Sequence, residues 1–166
     1  TVKVEPVSIE YGDALPDSFA YKLYQNGTEV SADGIHVVIG IEGDGKNVGS
    51  YPFTVYGENE LYTLALDAEN TSVLSVVPKK VQVLFELPEG GSLAEGVYSI
   101  PYTGSMVALK AYYIDISGER VELALTYNKA NHAPSAIGTY AVAAAVSDTN
   151  YQADGQQVTS LVITKK

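Results

Sequence analysis

The sequence predicts an all-β protein made of two tandem antiparallel modules, each a sandwich or a sandwich-like pack of sheets. Three observations carry this. Apolar residues alternate with a period of two, turn residues recur between the alternating runs, and the second half repeats landmarks of the first at a fixed offset.

The elements follow in order. Phe19, Tyr21 and Leu23 share a face, and Asn26-Gly27 then supplies a hairpin-type turn. Ile35, Val37, Ile39 and Ile41 share a face, with His36, Val38 and Gly40 opposite, before the turn cluster Glu42-Gly43-Asp44-Gly45. Tyr51, Phe53 and Val55 alternate, as do Tyr62, Leu64 and Leu66. In the second half Val107, Leu109, Ala111 and Tyr113 alternate, and Ser117-Gly118 marks a turn. Val121, Leu123, Leu125 and Tyr127 form a further apolar face, and Tyr140, Val142, Ala144 and Val146 another. Residues 141–146 are rich in alanine but short, and their partner segment at 52–56 is plainly strand-like, so both are read as strands. The alternative architecture is a pair of β-grasp-like modules with one short helix each, the second using the stretch around 93–98.

Composition sets bounds on function. The 166 residues suffice for two modules, 1–80 and 81–166, and a hydrophobic content of 46% supplies a core for each. A module of this size sits near the lower limit of what folds without staples, and the absence of cysteine removes disulfides, thiol nucleophiles and thiolate metal sites. No apolar run is long enough to span a membrane. The net charge of −10 is distributed as −7 in residues 1–80 and −3 in residues 81–166, a solvated acidic surface that repels nucleic acid and anionic membranes. No signal peptide is visible. Thr1 already opens on strand-like sequence, which reads as a fragment whose export signal and anchor lie elsewhere.

The repeat rests on named landmarks. Val48-Gly49-Ser50-Tyr51 corresponds to Ile137-Gly138-Thr139-Tyr140, and Tyr62 to Tyr151, both at an offset of 89. Tyr11 corresponds approximately to Tyr102, at 91. Each half closes on an apolar strand followed by two lysines, at Lys79-Lys80 and Lys165-Lys166. Gly49 and Gly138 would allow a tight entry into a strand. Tyr51 and Tyr140, at the start of a late strand, have the placing of a tyrosine corner, with largely buried rings and hydroxyls bonded to backbone. The sharper alternative for these tyrosines is stacking on a carbohydrate.

At these residues the sequence resembles the MBG family of mostly-β, glycine-rich modules that occur as repeats in bacterial surface proteins and adhesins. The C-terminal half carries it in Ala133-Pro134-Ser135-Ala136-Ile137-Gly138-Thr139-Tyr140-Ala141-Val142, Asp148-Thr149-Asn150-Tyr151 and Leu161-Val162-Ile163-Thr164. The N-terminal half carries Tyr11-Gly12-Asp13-Ala14-Leu15-Pro16, similar to that family's opening signature. Departures are Leu61-Tyr62 in place of Asn-Tyr, Tyr102-Thr103-Gly104 in place of Tyr-Gly-Asp, and an inserted stretch at 87–97. The resemblance implies extracellular repeat architecture, attached to a cell surface through other parts of the polypeptide. It implies no catalytic residue.

Residues able to carry chemistry are scattered. His36 and His132 are the only histidines, and neither has a partner at metal-ligand or triad spacing. Residues 42–47 place oxygen ligands at alternate positions but lack a calcium loop's closing glutamate, so they read as a solvated turn. Asp148, Asn150 and Asp154 form a similar cluster. Lys22 and Lys110 sit in strand-like segments, where surface modules sometimes form lysine–asparagine bonds, but no spacing identifies a pair. The expectation is therefore a non-enzyme with no catalytic residue, metal or cofactor, whose partners are neighbouring domains of its own polypeptide. Its expected role is that of a stiff spacer or stalk, because Val77-Pro78-Lys79-Lys80-Val81 joins strand to strand without a flexible tract. The alternative is adhesion to an extracellular glycan or protein. That reading is motivated by 13 tyrosines, with Tyr24, Tyr56, Tyr98 and Tyr112 as candidates outside the repeated set.

Overall fold

The structure is a computed structural model that describes residues 1–57, 59 and 61–166. It is all-β, with no helix among the described residues, and divides into two compact units, Thr1–Lys79 and Lys80–Lys166.

Unit 1 contains β1 (Val2–Val4), β2 (Val7–Glu10), β3 (Tyr21–Gln25), β4 (Thr28–Val30), β5 (Val38–Ile41), β6 (Gly49–Tyr56) and β7 (Val73–Val77). They form two sheets, ordered β1-β3-β4 and β2-β7-β6-β5. The inward residues of both sheets meet in one core: Val2, Val4 and Leu23 from the first, Phe53 and Leu74 from the second. Period-two alternation produces this directly, since each strand sends every second side chain to the same face. The β3–β4 hairpin turns on Asn26 (φ 49°) and Gly27 (φ 81°), the left-handed pair that a two-residue turn requires.

In unit 2 the strands are β8 (Lys79–Gln82, which starts on the last residue of unit 1), β9 (Leu84–Glu86), β10 (Ser92–Ala94), β11 (Val97–Pro101), β12 (Lys110–Ile114), β13 (Arg120–Glu122), β14 (Ala124–Tyr127), β15 (Gly138–Ala145), β16 (Tyr151–Asp154) and β17 (Val158–Thr164). The sheets are ordered β10-β11-β17-β15-β14, β13-β12-β9 and β16-β8. Tyr98, Ile100, Val142, Leu161 and Ile163 form one buried cluster, and Val83, Ala111 and Ala144 another. The apolar face Val121, Leu123, Leu125, Tyr127 serves two sheets: β13 pairs with β12, and β14 pairs with β15.

Three expectations need correction. The modules are not purely antiparallel, because β2 runs parallel to β7 and β11 parallel to β17. The chain leaves the sheet after β2 or β11, builds the opposite sheet, and returns, which supplies the long connection that parallel pairing needs. The stretch around 93–98 is no helix. It is the β10–β11 hairpin, turning on Glu95 (φ 50°) and Gly96 (φ 78°), so the insertion at 87–97 adds an edge strand to unit 2. Finally, Tyr62, Leu64 and Leu66 alternate without forming a strand, and only Leu66 makes a bridge, to Val2.

Candidate functional site

The repeated residues can be placed one by one. Gly49 opens β6 and pairs with Val76; Gly138 opens β15 and pairs with Ile163. Two residues on, Tyr51 lies opposite Leu74 and Tyr140 opposite Leu161, and both leucines are fully buried. The Tyr51 hydroxyl donates to the carbonyl of Asn47 at 2.8 Å, and the Tyr140 hydroxyl to that of Ala136 at 2.9 Å. Each hydroxyl thus ties down the backbone four residues upstream and fixes the loop that feeds the strand. Each ring is half-buried rather than largely buried: it stands on the core-facing side of its strand, in line with buried Phe53 or Val142, packs against the core, and lies across the strand's first residue. A Cβ added at Gly49 would stand 3.8 Å from the Tyr51 ring, and one at Gly138 3.5 Å from Tyr140. Those are ordinary contacts, so the glycines serve as bare backbone that the ring covers.

Tyr11 and Tyr102 also take matching places. The Tyr11 amide donates to the Val77 carbonyl and the Tyr102 amide to that of Thr164, both at 2.9 Å, which extends the parallel pairs by one bond. The fourth landmark diverges. Tyr151 opens β16 and is buried, with its ring centroid 5.0 Å from that of Tyr113 and its hydroxyl accepting the Ile116 amide at 3.2 Å. Tyr62 is 45% exposed and lies outside any strand.

Among the described residues the chemistry-bearing groups singled out from the sequence are not brought together. His36 and His132 are exposed and lie in different units. Asp44 accepts the Lys46 amide at 3.0 Å and Asp148 the Asn150 amide at 2.9 Å, so these carboxylates cap turns, while Asp154 faces Gln82 at 3.5 Å. Among the described residues no group of three or more His, Asp or Glu converges as a metal site. Lys22 pairs with Glu29 at 3.4 Å, and Lys110 lies opposite Glu86 across β12–β9. The tyrosines proposed for a binding platform are dispersed. Tyr98 is buried in the core of unit 2, Tyr112 lies under the Arg120 guanidinium at 3.8 Å, Tyr24 carries Lys3 at 5.2 Å, and Tyr56 is 64% exposed.

Electrostatics here is structural. Hydrogen bonds from Arg120 hold the Glu86 carboxyl below its ordinary range, and the same guanidinium bonds Glu122. Asp115 is held low first by the Ser117 hydroxyl and then by the Glu119 amide, which together lock the turn between β12 and β13.

Tyr127 is the functional group that the sequence reading passed over. Its hydroxyl accepts the buried Leu109 amide at 2.9 Å, and burial pushes its pKa up, an effect the Leu109 bond opposes. A tyrosine on the otherwise apolar face from Val121 to Tyr127 was the available signal, since a buried hydroxyl needs a partner. Because the folded-state pKa is raised, the stabilising contribution is complete below the ordinary tyrosine value of about 10 and is lost as pH rises through the folded value. Tyr127→Phe orphans the Leu109 amide and is expected to cost about 1–2 kcal/mol at neutral pH. Urea unfolding across pH should show the deficit shrinking above pH of about 10. A constant deficit would mean that Tyr127 does not titrate in this way.

Residues 98–166 match the family model of the MBG domain. The match starts inside β11 and runs to the C-terminal lysine, so it takes in the β11-β17-β15-β14 part of the main sheet, the β12–β13 hairpin and the Gly138–Tyr140 clasp. The MBG domain is a repeat module of surface proteins. No curated protein matches the chain.

Proposed function

We propose that the chain is a non-catalytic spacer in an extracellular cell-surface protein, built from two modules of the MBG kind, residues 1–79 and 80–166. The observation that carries this reading is the repetition of one mechanical plan. The order β2-β7-β6-β5 in unit 1 is the order β11-β17-β15-β14 in unit 2, with the same parallel pair, register and tyrosine clasp. What the two units share is bracing of the backbone rather than a reactive constellation.

The parallel pair suits a load-bearing role. Tension between strands that run side by side in the same direction shears their evenly spaced hydrogen bonds together, whereas an antiparallel hairpin opens one bond at a time. β2 and β7 pair over Val7–Glu10, and β11 and β17 over Val97–Pro101.

Single-molecule force measurement is the test. Held at its two ends, the chain should unfold in two separate events. The unit 2 event should need more force than when unit 2 is held through Ala124→Cys and Ala145→Cys, exposed register partners at the open end of the β14–β15 pair. A low, featureless extension from the chain ends would remove the load-bearing reading.

A further inference from the structure

The divergence at Tyr62 opens a site that the spacer reading does not use. β3 and β12 are the central strands of their three-stranded sheets, and each runs into a hairpin turn. Gln25 closes the first turn with Thr28, and Asp115 closes the second with Glu119. Two residues back from each closing position stand Leu23 and Tyr113, both buried, so they occupy equivalent places. In unit 2 the Tyr113 and Tyr151 rings fill this region against each other at 5.0 Å. In unit 1 the smaller Leu23 stands in for Tyr113, and Tyr62, the repeat counterpart of Tyr151, is 45% exposed. Beside these two residues lies a groove of about 900 Å³ lined by Leu23, Tyr24, Asn26, Asp33, Tyr62 and Asp67 among others.

The geometry points to this groove as a binding site for a neutral oligosaccharide, held on Tyr62 by ring stacking and on Asn26 and Asp33 by hydroxyl hydrogen bonds. The lining combines an apolar floor, aromatic walls, and amides and carboxylates at the rim. Sugars present apolar C–H faces and hydroxyls that both donate and accept, which matches that combination. A volume of this size suits a ligand of about two or three sugar rings. The Asp67 carboxylate stays ionised and already accepts the Thr1 hydroxyl at 2.7 Å and the Glu69 amide at 3.0 Å. With residues 1–80 at −7, an anionic ligand is repelled, which argues for a neutral sugar over a uronate or a phosphate polymer. Tyr24 offers one ring face at most, because Lys3 sits over the other at 5.2 Å. The proposal does not rest on the spacer role, since a module can brace a protein and still carry a ligand.

The experiment is amide-resolved NMR titration of the whole chain with maltotriose, lactose and N,N′-diacetylchitobiose, and with tri-lysine as the cationic comparison. The expected result is saturable shifts from at least one sugar, confined to residues around Leu23, Tyr24, Asn26 and Tyr62. Tyr62→Ala should weaken that binding roughly tenfold or more while leaving the melting temperature unchanged, because its ring has no packing to lose comparable to that of Tyr151. Leu23→Tyr, which imitates unit 2, should fill the groove and block the same shifts. If no sugar gives saturable shifts, if Tyr62→Ala binds as well as the parent, or if tri-lysine alone occupies the groove, the assignment is overturned.

Discussion

Tyr113→Ala is expected to bring the second unit to the edge of unfolding, at a cost of about 3–5 kcal/mol. Tyr113 is 2% exposed and is the largest of the fully buried side chains. Its ring packs against Tyr151 with an interplanar angle of 48°, a tilted arrangement that adds to simple burial. Removing it leaves a cavity that the flanking β9 and β13 cannot close, because their hydrogen bonds to β12 hold them in place. A unit of this size has only about 5–10 kcal/mol to lose. Tyr151→Ala removes the other ring and also the acceptor of the Ile116 amide, so its cost should be similar. The double variant should cost less than the two singles added, because both empty the same space. Urea unfolding followed by residue-resolved NMR reads unit 2 separately from unit 1. A cost below about 1 kcal/mol for Tyr113→Ala would show that the ring contributes little to this core.

This pair also marks how far the sequence could be read. Alternation and turn chemistry placed the strands β3, β5, β6, β12, β14, β15 and β17, because a period of two and an Asn-Gly turn are local properties of the chain, but not short strands such as β2, β4, β9, β10, β11 and β16. Strand direction was out of reach. β2 and β11 alternate in the same way whether their neighbour runs with them or against them, and only the long return of β7 and β17 decides it. The repeat of Gly-x-Tyr was legible in the sequence, and Tyr51 and Tyr140 make the same hydroxyl bond to backbone four residues upstream. The same arithmetic placed Tyr62 with Tyr151. The identical letter conceals a different environment, because the residue that would receive the ring is Leu23 in one unit and Tyr113 in the other. A fixed offset matches positions in sequence, and packing against a distant strand then settles what each position does. The groove was invisible for that reason: its lining is drawn from segments far apart in sequence, around Leu23, Asp33 and Tyr62.

Tyr51→Ala and Tyr140→Ala are expected to cost about 2–3 kcal/mol each, less than a fully buried ring and more than a surface one. Half-burial sets the first part of this figure, since each ring gives up only part of its area to the fold. The lost hydroxyl sets the rest. The carbonyls of Asn47 and Ala136 each lose a donor, and the loops before β6 and β15 lose their tether to the sheet. The phenylalanine variants separate the two contributions. Tyr51→Phe and Tyr140→Phe keep the ring over the glycine and remove only the bond, so each should cost about 1 kcal/mol. Thermal unfolding of the four variants gives the values, and the unit affected should be the one that carries the change. A fall in both transitions from a single substitution would reveal thermodynamic coupling between the units. Phenylalanine variants as stable as the parent would show that the hydroxyl does not brace the loop. Alanine variants that melt unchanged would remove the clasp from the structural plan altogether, leaving Tyr51 and Tyr140 as surface rings available to a ligand.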